Sequence, residues 1–293
     1  MNVLTQKRHE IGKRDVISVL ETVDVETGKR IILHEFDFLI EAPNWKKNGM
    51  ELIYNSEGRI FSYDITSDIS TLIDSGACDR CNNDHVLSPD HTKLAVSHHT
   101  YEDGMSRVYV LPVEGGVPAL ITPIAPSYLH GWSPDGKTLS YCAERNGEYD
   151  IYIIPAVGGV ETRLTDTHGL NDGPEYSPCG NYIWFNSVRT GLMQVWRMNN
   201  DGSGQIQMTF DESNSWFPHV SPDGMKVAYI TYKKGDVEAG DHPANKNVEI
   251  RLMSSEGGEY KTLVQLFGGQ GTLNVNSWSP DSKKLAFVSY RMK

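Results

Sequence analysis

A four-residue element that returns at nearly constant distance limits what this chain can fold into. It reads Ser88-Pro89-Asp90-His91, Ser133-Pro134-Asp135-Gly136, Ser177-Pro178-Cys179-Gly180, Ser221-Pro222-Asp223-Gly224 and Ser279-Pro280-Asp281-Ser282. A worn copy, Trp45-Lys46-Lys47-Asn48-Gly49, aligns with Trp132 to Gly136. From Lys46 through each serine the steps are 42, 45, 44, 44 and 58 residues. A sustained period of this length belongs to folds that stack one supersecondary unit, and forty-odd residues suffice for one propeller blade.

Each copy has the same internal order. A short extended segment such as Leu129-His130-Gly131-Trp132 precedes the turn, and a β-branched or aromatic run such as Tyr182-Ile183-Trp184-Phe185 follows it. A third run, as in Asp150 to Ile154, leads through a glycine turn to a fourth that ends in Leu-Thr or Ile-Thr. Such runs bounded by turn residues predict strands, four to a unit. The glycine pairs Gly115-Gly116 and Gly158-Gly159 lie between strands with no helical pattern after them, so they read as hairpins and not as phosphate cradles.

The last unit stops at Lys293 after two strands, and the segments Val16-Ile17-Ser18-Val19-Leu20 and Arg30-Ile31-Ile32-Leu33 supply the missing pair. The expectation is an all-β, six-bladed β-propeller closed by a blade shared between the N- and C-termini. The blades fall at about 37–75, 82–122, 127–166, 171–210, 215–266, and 273–293 plus 15–35, in a single domain. Sharing a blade hides strand edges that would otherwise pair with other chains.

The unit SPDGKTLSYCAERNGEYDIYIIPAVGGVETRLT (Ser133 to Thr165) and the stretch SPDGMKVAYIT resemble the repeat of the TolB-like (WD40-like, PD40) propellers. The resemblance covers nearly everything after residue 15. It implies relatives of several kinds: the periplasmic partner in the Tol–Pal system, the gating domain of prolyl oligopeptidases, and oligogalacturonate lyases. The chain departs from each. No GxSxG nucleophile elbow is present, and six units are counted where the lyases have seven.

Charge and composition narrow the partners. With 27 Lys and Arg against 38 Asp and Glu, the formal net charge of −11 disfavours a nucleic-acid partner, because that affinity comes from cations neutralising phosphates. No apolar run approaches the roughly 18–20 residues that span a bilayer, so no membrane partner is expected. The first ten residues lack an apolar signal core, and a cytoplasmic location is the expectation. Cys78 and Cys81 form one CxxC without a second pair, which reads as two free thiols in a loop.

Strand direction converts positions into places. If each innermost strand begins at a top face and runs to the Ser-Pro turn at the bottom, residues just before each Ser-Pro share the axial mouth with the ends of the second strands. His85 and His130 stand three residues before their serines, and His219 and Glu175 two before theirs. These four are the candidate metal set, because imidazoles with a carboxylate suit a divalent transition metal. Asn83, Asp84, His98, His99, Glu144, Arg145, Asp172, Asn186, Arg189 and Trp216 map to the same face as candidate ligand-binding residues. His242 and Lys246 join them from the insertion at 235–247 that lengthens the 58-residue step, read as a lid faced by the loop Gly268 to Gly271. Two plainer readings stand beside these. His85 and His130 could bond backbone at the channel wall, and the resemblance implies inter-blade packing for Arg145 and Arg189. The functional expectation is a propeller that binds a small polar, carbohydrate-like ligand at this mouth. The alternatives are a metal-assisted carbohydrate lyase or hydrolase and a protein-interaction scaffold; the catalytic residues are not assigned.

Overall fold

The computed structural model describes residues 16–293. Residues 1–15, among them His9 and residue 15 of the last expected blade, lie outside the described residues. Among the described residues all regular structure is β, in five four-stranded sheets and one of three strands. Blade 1 comprises Glu41–Trp45, Glu51–Ser56, Arg59–Asp64 and Ile69–Ile73; blade 2, Cys81–Leu87, Lys93–His99, Ser106–Pro112 and Ala119–Leu120. Blade 3 comprises Ser127–Trp132, Thr138–Arg145, Glu148–Pro155 and Thr162–Arg163; blade 4, Asn171–Tyr176, Tyr182–Ser187, Gln194–Asn199 and Ile206–Gln207. Blade 5 comprises Ser213–Val220, Lys226–Lys233, Lys246–Ser254 and Tyr260–Gly268.

Blade 6 closes the ring. Val16–Asp24 pairs antiparallel with all of Lys284–Met292, from Val16 opposite Met292 to Asp24 opposite Lys284, and Arg30–Phe36 completes the outer edge. The two ends of the chain therefore share one sheet. Its innermost segment, 272–278, is looser than those of the other blades. It holds an isolated bridge between Trp278 and Leu285 and a bond from the Ala286 N–H to the Ser277 carbonyl, 2.9 Å.

The recurring turn has a simple physical basis. The Ser133 hydroxyl donates to the Asp135 carboxylate at 2.7 Å and accepts the Thr138 N–H at 2.9 Å. Ser88 with Asp90, Ser221 with Asp223 and Ser279 with Asp281 repeat the arrangement. These bonds lower the aspartate pKa, that of Asp90 to about 2 with the Ser88 hydroxyl as the largest cause. The fourth turn residue adopts positive φ in all six copies, which glycine accepts without strain and His91 and Ser282 also adopt. Serine, aspartate and the fourth residue are thus requirements of one turn, and the repeat is visible because that requirement recurs.

Packing occurs between neighbouring sheets. Val86 and Ala95 of blade 2 meet Leu129, Leu139 and Tyr141 of blade 3 in one buried cluster. Trp45, Trp132 and Trp278, each at the end of an inner segment just before the recurring turn, are 6%, 7% and 3% exposed. The indole N–H of Trp132 donates to the Val86 carbonyl at 3.0 Å, and that of Trp278 to the His219 carbonyl at 2.9 Å, so each ties its blade to the one before. Truncating such a side chain costs about 3–5 kcal/mol. Cys78 and Cys81, expected in a loop, are instead buried in the cluster between blades 1 and 2, and both are free thiols. Burial pushes the Cys78 thiol up to about 12 and the Cys81 thiol higher still, which suits core packing and not reaction.

Candidate functional site

The innermost strands of blades 1 to 5 all slip register midway: between Glu41 and Asn44, Cys81 and His85, Leu129 and Gly131, Asp172 and Glu175, and Trp216 and His219. In blades 1, 4 and 5 the slip is built as a positive-φ residue followed by proline: Ala42-Pro43, Gly173-Pro174 and Phe217-Pro218. Proline has no N–H to lose on an inward edge, and a bulge re-aims the side chains beside it. At Gly173 a Cβ would come within 2.5 Å of the Asn186 amide oxygen and 3.1 Å of the Phe217 ring. Glycine there lets blades 4 and 5 close together.

The side chains so aimed form buried acid–imidazole pairs. His130 Nε2 lies 3.1 Å from Asp172 Oδ1. Burial alone would depress the His130 pKa, but the bond to Asp172, and after it the charges of Asp172, Asp84 and Glu175, hold it above the ordinary imidazole value. Burial raises the Asp172 carboxyl, and bonding to His130 with the charges of His130 and His242 brings it below the usual carboxylate range. His219 Nδ1 lies 2.7 Å from Glu175 Oε2, and its other ring nitrogen lies 3.2 Å from the Leu273 carbonyl. Glu175 Oε1 also accepts the Val220 N–H at 2.9 Å and the Asn276 amide at 2.7 Å. Asp84 accepts from the amides of Asn82 and Asn274, and burial pushes its carboxyl up. The groups acting most strongly on Asp84, Asp172 and His130 are imidazoles, amides and carboxylates, with no lysine or arginine among them.

Aromatic rings cover the pair of His130 and Asp172. Phe217 stacks on His130 with centroids 5.8 Å apart and an interplanar angle of 20°. His242, from the insertion, meets Phe217 at 5.3 Å and stands edge-on to Trp216 at 4.3 Å, with Nε2 3.9 Å from Asp172 Oδ2. The insertion, expected as a lid, therefore brings His242 against Trp216, Phe217 and Asp172, and it is anchored. The Tyr232 hydroxyl donates to the Pro243 carbonyl at 2.9 Å, and a Cβ at Gly269 would lie 2.2 Å from that same oxygen. The insertion and the loop at Gly268 to Gly271 thus pack directly on each other.

Of the other expected residues, Asn83 is buried next to Asp84, with its amide 3.4 Å from Glu41. The rest serve the scaffold. Arg145 clasps Glu161 with Nε and Nη2, both at 2.8 Å, and bonds the Pro126 carbonyl. Arg189 bonds Ser187, Gln205 and Asn171 and lies 4.6 Å over the Trp196 ring. The resemblance implied packing between blades for these two arginines; their partners instead lie within blade 3 with the segment leading into it, and within blade 4. Asn186 accepts the Phe217 N–H, His98 accepts the Arg80 N–H, and His99 bonds the Gly104 carbonyl. Glu144 lies beside the Tyr149 hydroxyl, and Lys246 bonds the Asp236 carbonyl within the insertion.

The four residues proposed for a metal are divided. His219 pairs with Glu175, His130 with Asp172, and His85 lies fully buried against the backbone of Ile53 and Ala42. Both His219 nitrogens are engaged, and among the described residues no three His, Cys, Asp or Glu side chains form a metal-holding group. The donor set does not fit a resident divalent cation. Sequence reasoning passed over Asn82, Asn274, Asn276 and Phe217. Asn276 stands three residues before Ser279, the place of His85 and His130, and Asn274 stands five before, the place of Asp172 before Ser177. The alignment of the repeats carried that signal. A cleft of about 370 Å³ between blades 3 and 4 opens among Ser133, Asp135, Thr138, Tyr176, Cys179 and Asn200, on the side of the Ser-Pro turns and away from these pairs.

Comparison with known proteins agrees with the architecture. The TolB beta propeller domain profile matches residues 84–264. An uncharacterized protein of Agrobacterium fabrum is 46% identical over 274 residues, covering 93% of this chain and 92% of its own. A solved structure of a TolB-type protein from Agrobacterium tumefaciens superposes with a TM-score of 0.91 at 45% identity, over 95% of this chain and 99% of that one. An oligogalacturonate lyase in complex with manganese shares the fold at a TM-score of 0.55 and 16% identity, over 87% of this chain and 75% of that one. Repeat, ring closure and these matches agree: the chain belongs to the TolB β-propeller family.

Proposed function

We propose that this propeller binds a small polar, sugar-like ligand at the axial mouth, beneath the insertion that carries His242. The observation that carries the reading is the set of buried acid–imidazole pairs, Asp172 with His130 beneath the Phe217 ring, and Glu175 with His219. Placing these ionisable groups in a nearly dry interior is costly, and the fold positions them through bulges in successive blades. Two further groups, on the inner segments of blades 5 and 6, are buried without a hydrogen-bonding partner: the indole N–H of Trp216 and the amide oxygen of Asn274. One needs an acceptor and the other a donor. A hydroxyl group serves both, and an aromatic face beside carboxylates suits a sugar ring.

Binding is favoured over metal-assisted elimination because the donor set does not fit a metal and both candidate arginines are committed to the scaffold. Thermal unfolding of the wild type and Asp172→Asn in the presence of neutral, acidic and aminated saccharides tests the reading. A ligand-dependent rise in melting temperature, lost in Asp172→Asn and without turnover of the saccharide, is expected. A saccharide that stabilises both proteins equally would place binding elsewhere.

A further inference from the structure

We propose that the ligand of this site is an aminated sugar, and that the imidazole of His242 occupies the place its ammonium group takes. The inference rests on the axial-site reading and adds the charge of the ligand and the means by which the site is kept closed.

Three independent features lead to it. The first is electrostatic. Asp84, Asp172 and Glu175 are 3%, 9% and 7% exposed, and the positive charges acting most strongly on them are imidazoles. An anionic sugar such as a uronate would meet these carboxylates with no lysine or arginine to balance it. A cation gains from them.

The second is the seat of His242. Its ring lies against Trp216 and Phe217, with Nε2 facing Asp172. A nitrogen that carries positive charge when protonated, set against aromatic rings and beside a carboxylate, is the arrangement by which proteins hold an amine.

The third is closure. His242 is 7% exposed and the Trp216 beneath it is fully buried, so a ligand reaches Asp172 only when the insertion lifts. The anchor through Tyr232 and Pro243, packed on Gly269, fixes the insertion where it presents His242 to the site. An arriving ammonium takes the place of the His242 imidazole beside Asp172 and brings a full positive charge there, whereas a neutral sugar leaves that carboxylate with His130 as its one imidazole partner. The orphaned Trp216 N–H and Asn274 oxygen remain for the hydroxyls.

The test uses the full chain and three probes of similar shape and different charge: glucosamine, glucose and glucuronate. Each is titrated calorimetrically into the wild type, His242→Ala, His242→Asn and the double variant His242→Ala with Asp172→Asn. The second substitution at position 242 keeps a polar side chain of similar length in case alanine loosens the insertion. The expected result is glucosamine binding at least tenfold tighter to both single variants than to the wild type, and at least tenfold tighter than glucose or glucuronate. The preference for the amine should vanish in the double variant. Equal glucosamine affinity for the wild type and both single variants would overturn the role of His242. Glucose or glucuronate matching glucosamine in His242→Ala would overturn the amine while leaving the axial site standing. Failure of all three probes to bind either single variant would overturn the inference, and the saccharide panel on Asp172→Asn would then decide the axial reading separately.

Discussion

His85 and His130 stand three residues before the serine of adjacent repeats, both nearly without solvent, and their surroundings are opposite. His85 is packed against the backbone of Ile53 and Ala42, with neither ring nitrogen in a well-aligned hydrogen bond, and burial depresses its pKa to about 4. His130 faces Asp172 at 3.1 Å under the Phe217 ring, and its pKa is raised. The repeat fixes where an imidazole stands. The neighbouring blade decides what it does, because Asp172 reaches His130 from the bulge of blade 4 while blade 1 offers His85 only backbone. Chemistry in this ring is therefore a property of junctions between blades.

The strongest way to break the contrast is to remove an acid from the paired side. Glu175→Ala should cost about 3–5 kcal/mol in urea unfolding, because it strands His219, the Val220 N–H and the Asn276 amide together. A loss below about 1 kcal/mol would mean the pairs carry little of the stability.

Next in size is the acid response of the unpaired side. The unfolded chain protonates His85 at the ordinary value of 6.5, while the folded chain resists to about 4. The stability this group contributes is complete above pH 6.5 and is lost as pH falls toward 4, by roughly 3 kcal/mol at most. His130 has the opposite sign. Its raised pKa contributes stability that is full below 6.5 and is lost as pH rises through the folded value. Comparing stability at pH 7 and pH 4.5 in the wild type and His85→Leu isolates the first effect. The variant should lose less stability on acidification, and equal losses would assign the acid response elsewhere.

The smallest effect lies at Arg189, whose charge serves packing within blade 4. Arg189→Lys keeps the cation but loses the three-way fork to Ser187, Gln205 and Asn171, so a cost of about 1 kcal/mol is expected in unfolding. Saccharide-induced stabilisation should be unchanged in this variant. Loss of it would return Arg189 to the ligand-binding set.

The ring and its closure were legible in the sequence because one turn makes the same chemical demand six times, and because the strands missing after Lys293 are present after residue 15. The site was legible in part. His130, Glu175, His219 and Asp172 stood out at places set by the repeat and His242 in the insertion, and the structure joins them pairwise: His219 to Glu175, His130 to Asp172, with His242 3.9 Å from Asp172. Their pairing was not legible, since the contact between Asp172 and His130 depends on a register slip that no periodicity reveals. Blade 6 hid Asn274 and Asn276 because its inner segment has weak strand character, although counting back from Ser279 finds both. Arginines at a rim read equally well as ligand-binding or as structural. Only the position of Glu161, just before the outermost strand of the same blade, decides Arg145.

Selective labelling of the histidine rings and an NMR titration test the central claim most directly. In the wild type, His130 should titrate above 6.5 and His85 well below it, and Asp172→Asn should lower the His130 value while leaving His85 where it was. Two imidazoles titrating together near 6.5, or a His130 indifferent to the loss of Asp172, would contradict the account.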